Sequence, residues 1–207
     1  MNILFDQTQA QAFFYNGAAE YAQTLFLNMI SELREYGGDV RIFCLYISDR
    51  SFRYGKLSPE ALDGHKNVEF VDLKGSSLKQ IIREKGIDMV FTPCLQTFCD
   101  LPLGDIKHLG CKVVCVIHDF LDEEMKLSGM YLFRMMHYPK KLVRYYLSRT
   151  KVRLLSGNVK RREQLTEELL SNNDAEVVTV SEYSKNSFLY HYPRLSNSVH
   201  VYYSHHK

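Results

Sequence analysis

Residues 112–120 read KVVCVIHDF, an apolar, largely β-branched run that ends abruptly at His118 and Asp119. Such a run has the length and composition of a buried strand. Runs of the same kind occur at Ile3 to Phe5, Val40 to Tyr46, Val68 to Leu73, Met89 to Thr92, Val177 to Val180 and Val199 to Tyr203. Helical patterns lie between several of them. Ala18, Ala22, Leu25, Met29 and Leu33 recur at spacings of three and four, which places one apolar stripe along a helix ended by Gly37-Gly38. Further helices are expected over Ser77 to Lys85 before Gly86, Val159 to Leu170, and Glu182 to Tyr192 before Pro193.

Strands that alternate with helices imply parallel pairing, because a crossover helix returns the chain to the same edge of the sheet. The expected fold is therefore an α/β domain, a doubly wound, mainly parallel sheet with helices on both faces, spanning residues 1–207. Ligands of such sheets sit at the carboxyl ends of the strands. His118 and Asp119 fall where a buried strand emerges at that edge. Two readings stand on position alone: His118 reaches a bound molecule, or it satisfies a loop carbonyl while Asp119 caps a helical turn.

Composition bounds the classes. With 207 residues, 45% of them apolar or aromatic, the chain can bury a sizeable core. A net charge of +2 gives no global attraction to nucleic acid, and no nucleic-acid partner is expected. No stretch approaches the roughly 18 to 20 uncharged apolar residues that span a bilayer, and the first residues lack the features of a signal peptide. A cytoplasmic location is expected. Cys44, Cys94, Cys99, Cys111 and Cys115 form no C-x-x-C pair and read as buried thiols.

Nucleotide and catalytic signatures are sparse. Gly17, at the start of the first helix, would let a phosphate approach free backbone N–H groups and the positive end of the helix dipole. Neither G-x-G-x-x-G nor G-x-x-x-x-G-K-[ST] occurs, nor do G-x-S-x-G or H-E-x-x-H. The connection Gln7 to Asn16, which includes Phe13, Phe14 and Tyr15, exceeds the usual loop of about two to six residues and reads as a binding loop. The acidic run Asp119 to Glu124 has no D-x-D pair, and no metal or cofactor is expected. From Arg134 to Arg162 there are ten Lys or Arg residues and no Asp or Glu. Lys140, Lys141 and Arg144, set among Leu142, Val143, Tyr145 and Tyr146, suit either a helix lying on an anionic membrane surface or a solvated basic helix.

Three short passages, in order, carry a resemblance. Ala175-Glu176-Val177-Val178-Thr179-Val180-Ser181-Glu182-Tyr183-Ser184-Lys185 resembles the strand-to-helix passage Val-x-x-Val-Ser-Glu-x-Ser-Lys of family 4 retaining glycosyltransferases, which have the two-domain GT-B fold. Asn16-Gly17-Ala18-Ala19-Glu20-Tyr21-Ala22-Gln23-Thr24-Leu25 resembles the glycine loop and x-x-Tyr-x-x-x-Leu helix after that family's first strand. A strand ending in His-Asp lies between the two passages there, as His118-Asp119 does here. Val199 to Tyr203 is similar to the strand after which such chains cross into a second domain. The chain departs from the pattern in having Asn16-Gly17 where paired glycines are common, and Ser204-His205-His206-Lys207 where an Asn-Gly turn follows the last strand.

The resemblance implies the acceptor-side, N-terminal half of a sugar transferase that uses a nucleotide-sugar, with a C-terminal donor-binding domain lying outside this sequence. By that analogy His118 meets the donor sugar near the reacting carbon, and Asn16, Gly17 and Ala18 approach the donor phosphate. Asp119, Ser181, Glu182 and Lys185 fall at the cleft rim. Phe13, Phe14, Tyr15 and the basic stretch face a glycan or lipid-linked acceptor, with peripheral membrane contact, as in cell-surface polysaccharide synthesis. The chain alone is then expected to be inactive. The competing expectation is a non-enzymatic Rossmann-like module that binds a glycan, a lipid head group or a protein.

Overall fold

The computed structural model describes residues 1–11, 17–36, 39–52, 57–95, 103–118, 160–161 and 163–203. The strand-like runs become seven strands: β1 Asn2–Asp6, β2 Arg41–Tyr46, β3 Val68–Asp72, β4 Met89–Thr92, β5 Lys112–Ile117, β6 Asp174–Thr179 and β7 Val199–Val201. They form one sheet in the order β3-β2-β1-β4-β5-β6-β7. Every neighbouring pair is parallel. The helices are α1 Gly17–Tyr36, α2 Leu78–Lys85, α3 over 163–171 and α4 Glu182–His191.

Strand alternation divides the core between two faces. Phe5, Ile42 and Cys44 pack with Phe26 and Ile30 of α1 and with Leu57 and Leu62. Leu4, Leu45, Val90, Val113, Cys115 and Val177 turn the other way, onto Leu78, Ile81 and Ile82 of α2, Leu165 and Leu169 of α3, and Phe188 of α4. Adjacent residues of one strand thus serve opposite layers, which is why runs such as VVCVI are apolar throughout. The sheet is doubly wound with helices on both faces, as expected.

Helix ends follow local chemistry. Ser77 caps α2, its side chain accepting from the Gln80 N–H, and Gly86 ends the helix with φ 57°, a left-handed conformation that a side chain would strain. The Asn2 amide reaches across from β1 to donate to the carbonyls of Lys85 (2.9 Å) and Gly86 (3.0 Å). The described cysteines are thiols: Cys44, Cys94 and Cys115 are buried and Cys111 half-buried. Burial pushes the Cys115 thiol up to about 12 and that of Cys111 up to about 11, so neither is a nucleophile near neutrality.

One charge pair ties β5 to β6 on the surface. Lys112 Nζ lies 2.7 Å from Glu176 Oε1. The Lys112 hydrogen bond holds the Glu176 carboxyl below its ordinary value, and the same bond raises Lys112 above its own. For Glu176 the stabilisation is present above the unfolded value of 4.5 and lost as pH falls through the lower folded value. For Lys112 it is present below 10.5 and lost as pH rises through the raised folded value. Between those limits the pair contributes little, because both side chains are well exposed and salt-screened. Thermal unfolding should therefore show wild type slightly above Glu176→Gln at neutral pH, with the gap closing as acid protonates the Glu176 carboxylate. A gap that widened in acid would contradict the assignment.

Candidate functional site

The strand order fixes where a ligand would bind. Successive connections step outward from β1 in one direction and from β4 in the other, so β1 and β4 flank the point where the winding reverses. In doubly wound sheets the ligand crevice lies there, outside the carboxyl ends of the strands. The side chains gathered at that edge come from β1, β4, β5, α1 and the start of α4.

At its centre is Asp6, the last residue of β1 and 1% exposed. Its Oδ1 accepts from the Thr8 N–H (3.0 Å) and the Thr8 hydroxyl (2.6 Å). Its Oδ2 lies 3.0 Å from the Thr92 hydroxyl at the end of β4. That hydroxyl is equally close to the Cys94 carbonyl, at 3.0 Å, so its single proton is shared between two acceptors. The carboxylate thus ties together the ends of the two strands that border the crevice.

His118 follows β5 and is half-buried. Its Nε2 lies 2.9 Å from the Pro93 carbonyl oxygen, just beyond β4. A carbonyl can only accept, so Nε2 carries the proton, and in the neutral ring the lone pair is on Nδ1. The loop-carbonyl reading of this histidine therefore holds for Nε2. Tyr21, one turn into α1, meets the imidazole edge to face, with centroids 4.8 Å apart and planes at 84°. Burial pushes the Tyr21 hydroxyl above its ordinary value, so the ring stays a neutral wall at any physiological pH.

The main chain of His118 is held as well. Its carbonyl accepts from the Ser184 hydroxyl at 2.6 Å. Ser184 in turn sits 3.0 Å from the Ser181 hydroxyl, and Ser181 caps α4 by accepting from the Ser184 N–H at 3.1 Å. Since Ser184 spends its proton on His118, Ser181 donates to Ser184. The passage from Thr179 to Lys185 thereby positions the end of β5 as well as starting α4. Glu182 is exposed in the first turn, where a carboxylate complements the helix dipole, and Lys185 is half-buried one turn on.

Of the sequence candidates, His118, Ser181 and the start of α1 at Gly17 are brought to one edge, His118 touching both α1 and α4. Asn16, Phe13, Phe14, Tyr15, Asp119, Lys140, Lys141 and Arg144 lie outside the described residues, as does the side chain of Ala18. Asp6, Thr8, Thr92, Pro93 and Ser184 were not singled out beforehand. For Asp6 the signal was the one that singled out His118: a polar residue terminating an apolar strand. Among the described residues no group of three His, Cys, Asp or Glu side chains converges as metal ligands would. Among them, too, no helix is long and apolar enough to cross a membrane.

No protein-family model matches the chain, and a search of curated proteins finds no match.

Proposed function

We propose that the chain forms the N-terminal half of a retaining glycosyltransferase of the GT-B kind, moving a sugar from a nucleotide-sugar to a glycan or lipid-linked acceptor. The observation that carries the reading is His118: a side chain fixed by Pro93 and Tyr21 at the carboxyl edge of a doubly wound sheet, next to the first turn of α1. A histidine ring held by the Pro93 carbonyl and the Tyr21 ring on rigid elements suits a positioning role beside a hydroxylated ligand. The beginning of α1 at Gly17 supplies backbone N–H groups and a helix dipole to a phosphate.

Departure of a nucleoside diphosphate needs preorganised positive charge. In this reading it comes from a second Rossmann-like domain closing over the crevice, and the described residues supply the wall that orients the sugar. Phe13 to Tyr15 and the basic stretch with Lys140, Lys141 and Arg144 would then meet the acceptor, at an anionic membrane surface where that acceptor is lipid-linked. The test is an assay of the native gene product against a panel of UDP-, GDP- and ADP-sugars, with the product anomer read by NMR. Transfer with the donor's anomeric configuration kept is the expected result, and residues 1–207 alone should turn over none of the donors. No transfer by the native product, with binding of a glycan or lipid instead, would overturn the proposal in favour of a binding module.

A further inference from the structure

The buried polar groups of the described residues are served by partners almost everywhere, as folded proteins require. Those that lack one are Gln7 Nε2, Gln7 Oε1 and Gln23 Nε2. Gln7 directly follows β1, and Gln23 lies in the second turn of α1, the helix that follows that strand. Gln7 is wholly buried, at 0% exposure. An unpartnered buried amide is costly, so its concentration at a single place calls for a reason.

The two glutamines are brought towards each other by the fold. The Gln7 N–H donates to the Leu45 carbonyl at 2.9 Å, which prolongs the pairing of β1 with β2 by one residue. Strand alternation then puts Gln7 on the face of Phe5, which packs on Phe26 of α1 with centroids 5.0 Å apart. A helix returning the chain to a parallel strand runs opposite to the strands. Two residues forward along β1, about 6.6 Å, therefore correspond to roughly one turn backward along α1, from Phe26 to the turn holding Ala19, Ala22 and Gln23. Ala19 and Ala22 are 3% and 0% exposed, and their small side chains leave room for an amide against the helix.

We infer that Gln7 and Gln23 form an amide site for a neutral hydroxylated ligand, a glycosyl unit, bound between β1 and α1. A carboxamide presents an acceptor and a two-proton donor side by side. Phosphate would serve only the donor and a cation only the acceptor, whereas neighbouring hydroxyls of a sugar serve both. The amide atoms are shielded from bulk water, so such a ligand has to displace protein atoms to reach them. It then satisfies groups that the fold leaves unpaired. Naming the ligand as a glycosyl unit rests on the transferase reading; the unpaired amides do not.

The test pairs a stability measurement with a binding measurement. Gln7→Met keeps the side-chain length, and because neither amide atom has a partner, its removal orphans nothing. The variant should melt about 3 °C or more above wild type, as expected for relief of a buried unpaired amide in a chain of this size. In wild type, titration with methyl glycosides of glucose, galactose and mannose should shift the side-chain NH2 signals of Gln7 and Gln23 for at least one sugar. That sugar should bind at least tenfold more weakly to Gln7→Met and to Gln23→Met. A Gln7→Met chain that melts at or below wild type would mean the amide is bonded within the fold, and would overturn the inference. So would a titration in which none of the three glycosides moves either amide. The two proposals fail separately: sugar transfer with silent glutamine signals keeps the transferase and removes this site, while glycoside binding without transfer does the reverse.

Discussion

Asp6→Ala is expected to lower the melting temperature by about 6 to 12 °C, a loss of about 3 kcal/mol. The carboxylate is buried at the junction of β1 and β4 and receives the Thr8 N–H, the Thr8 hydroxyl and the Thr92 hydroxyl. Truncation removes charge-assisted bonds and leaves buried donors without an acceptor, which is the expensive way to lose a hydrogen bond. Thr92→Val removes a single donor at nearly constant volume and should cost about half as much. The two changes act on one network, so the double variant should fall short of their sum. Thermal unfolding followed by circular dichroism checks all three. An Asp6→Ala chain melting within a degree of wild type would show that the strand ends hold together without the carboxylate.

Much of the architecture was legible because its signals are local. KVVCVI is apolar throughout because Val113 and Cys115 face one helix layer while Val114 and Val116 face the other, and only a strand covered on both sides needs that. Ser77 and Gly86 read correctly as the ends of a helix because capping is a matter of a few adjacent residues. The ends of elements moved by up to three residues: β6 begins at Asp174, ahead of the apolar Val177, because pairing with Lys112 and Val113 of β5 extends it. Apolarity marks the buried part of a strand, whereas hydrogen bonding to a neighbour sets its length.

The position of His118 at the carboxyl edge was legible in the sequence, and its neighbours there only in part. Asp6 and Thr92 are 86 residues apart and meet because β1 and β4 are neighbours, which no local pattern encodes. Ser184 reads in sequence as one residue of a helix start, yet its hydroxyl serves a carbonyl 66 residues earlier. Pro93 matters through its carbonyl, a group every residue has, so nothing in its identity could announce the contact with His118. Contacts made by backbone atoms, or across a parallel sheet, become visible only once strand order is known.

The second large effect concerns His118, and it separates function from folding. His118→Ala removes the imidazole and should reduce sugar transfer by the native gene product about 100-fold, the usual scale for a positioned group at a reacting centre. Its cost to the fold should be modest, because the ring is half-buried and the Ser184 bond is made to the main-chain carbonyl, which the substitution keeps. His118→Gln sharpens the comparison. Its amide nitrogen can take the place of Nε2 and donate to the Pro93 carbonyl, but it has nothing at the position of Nδ1. If the imidazole ring is what orients the ligand, His118→Gln should melt with wild type and still lose most of the turnover. The decisive measurement is therefore the turnover of His118→Gln relative to wild type at matched thermal stability. The account predicts a loss of about 100-fold with an unchanged melting temperature; wild-type turnover in that variant would contradict it and leave His118 a structural tie between β5 and the loop after β4.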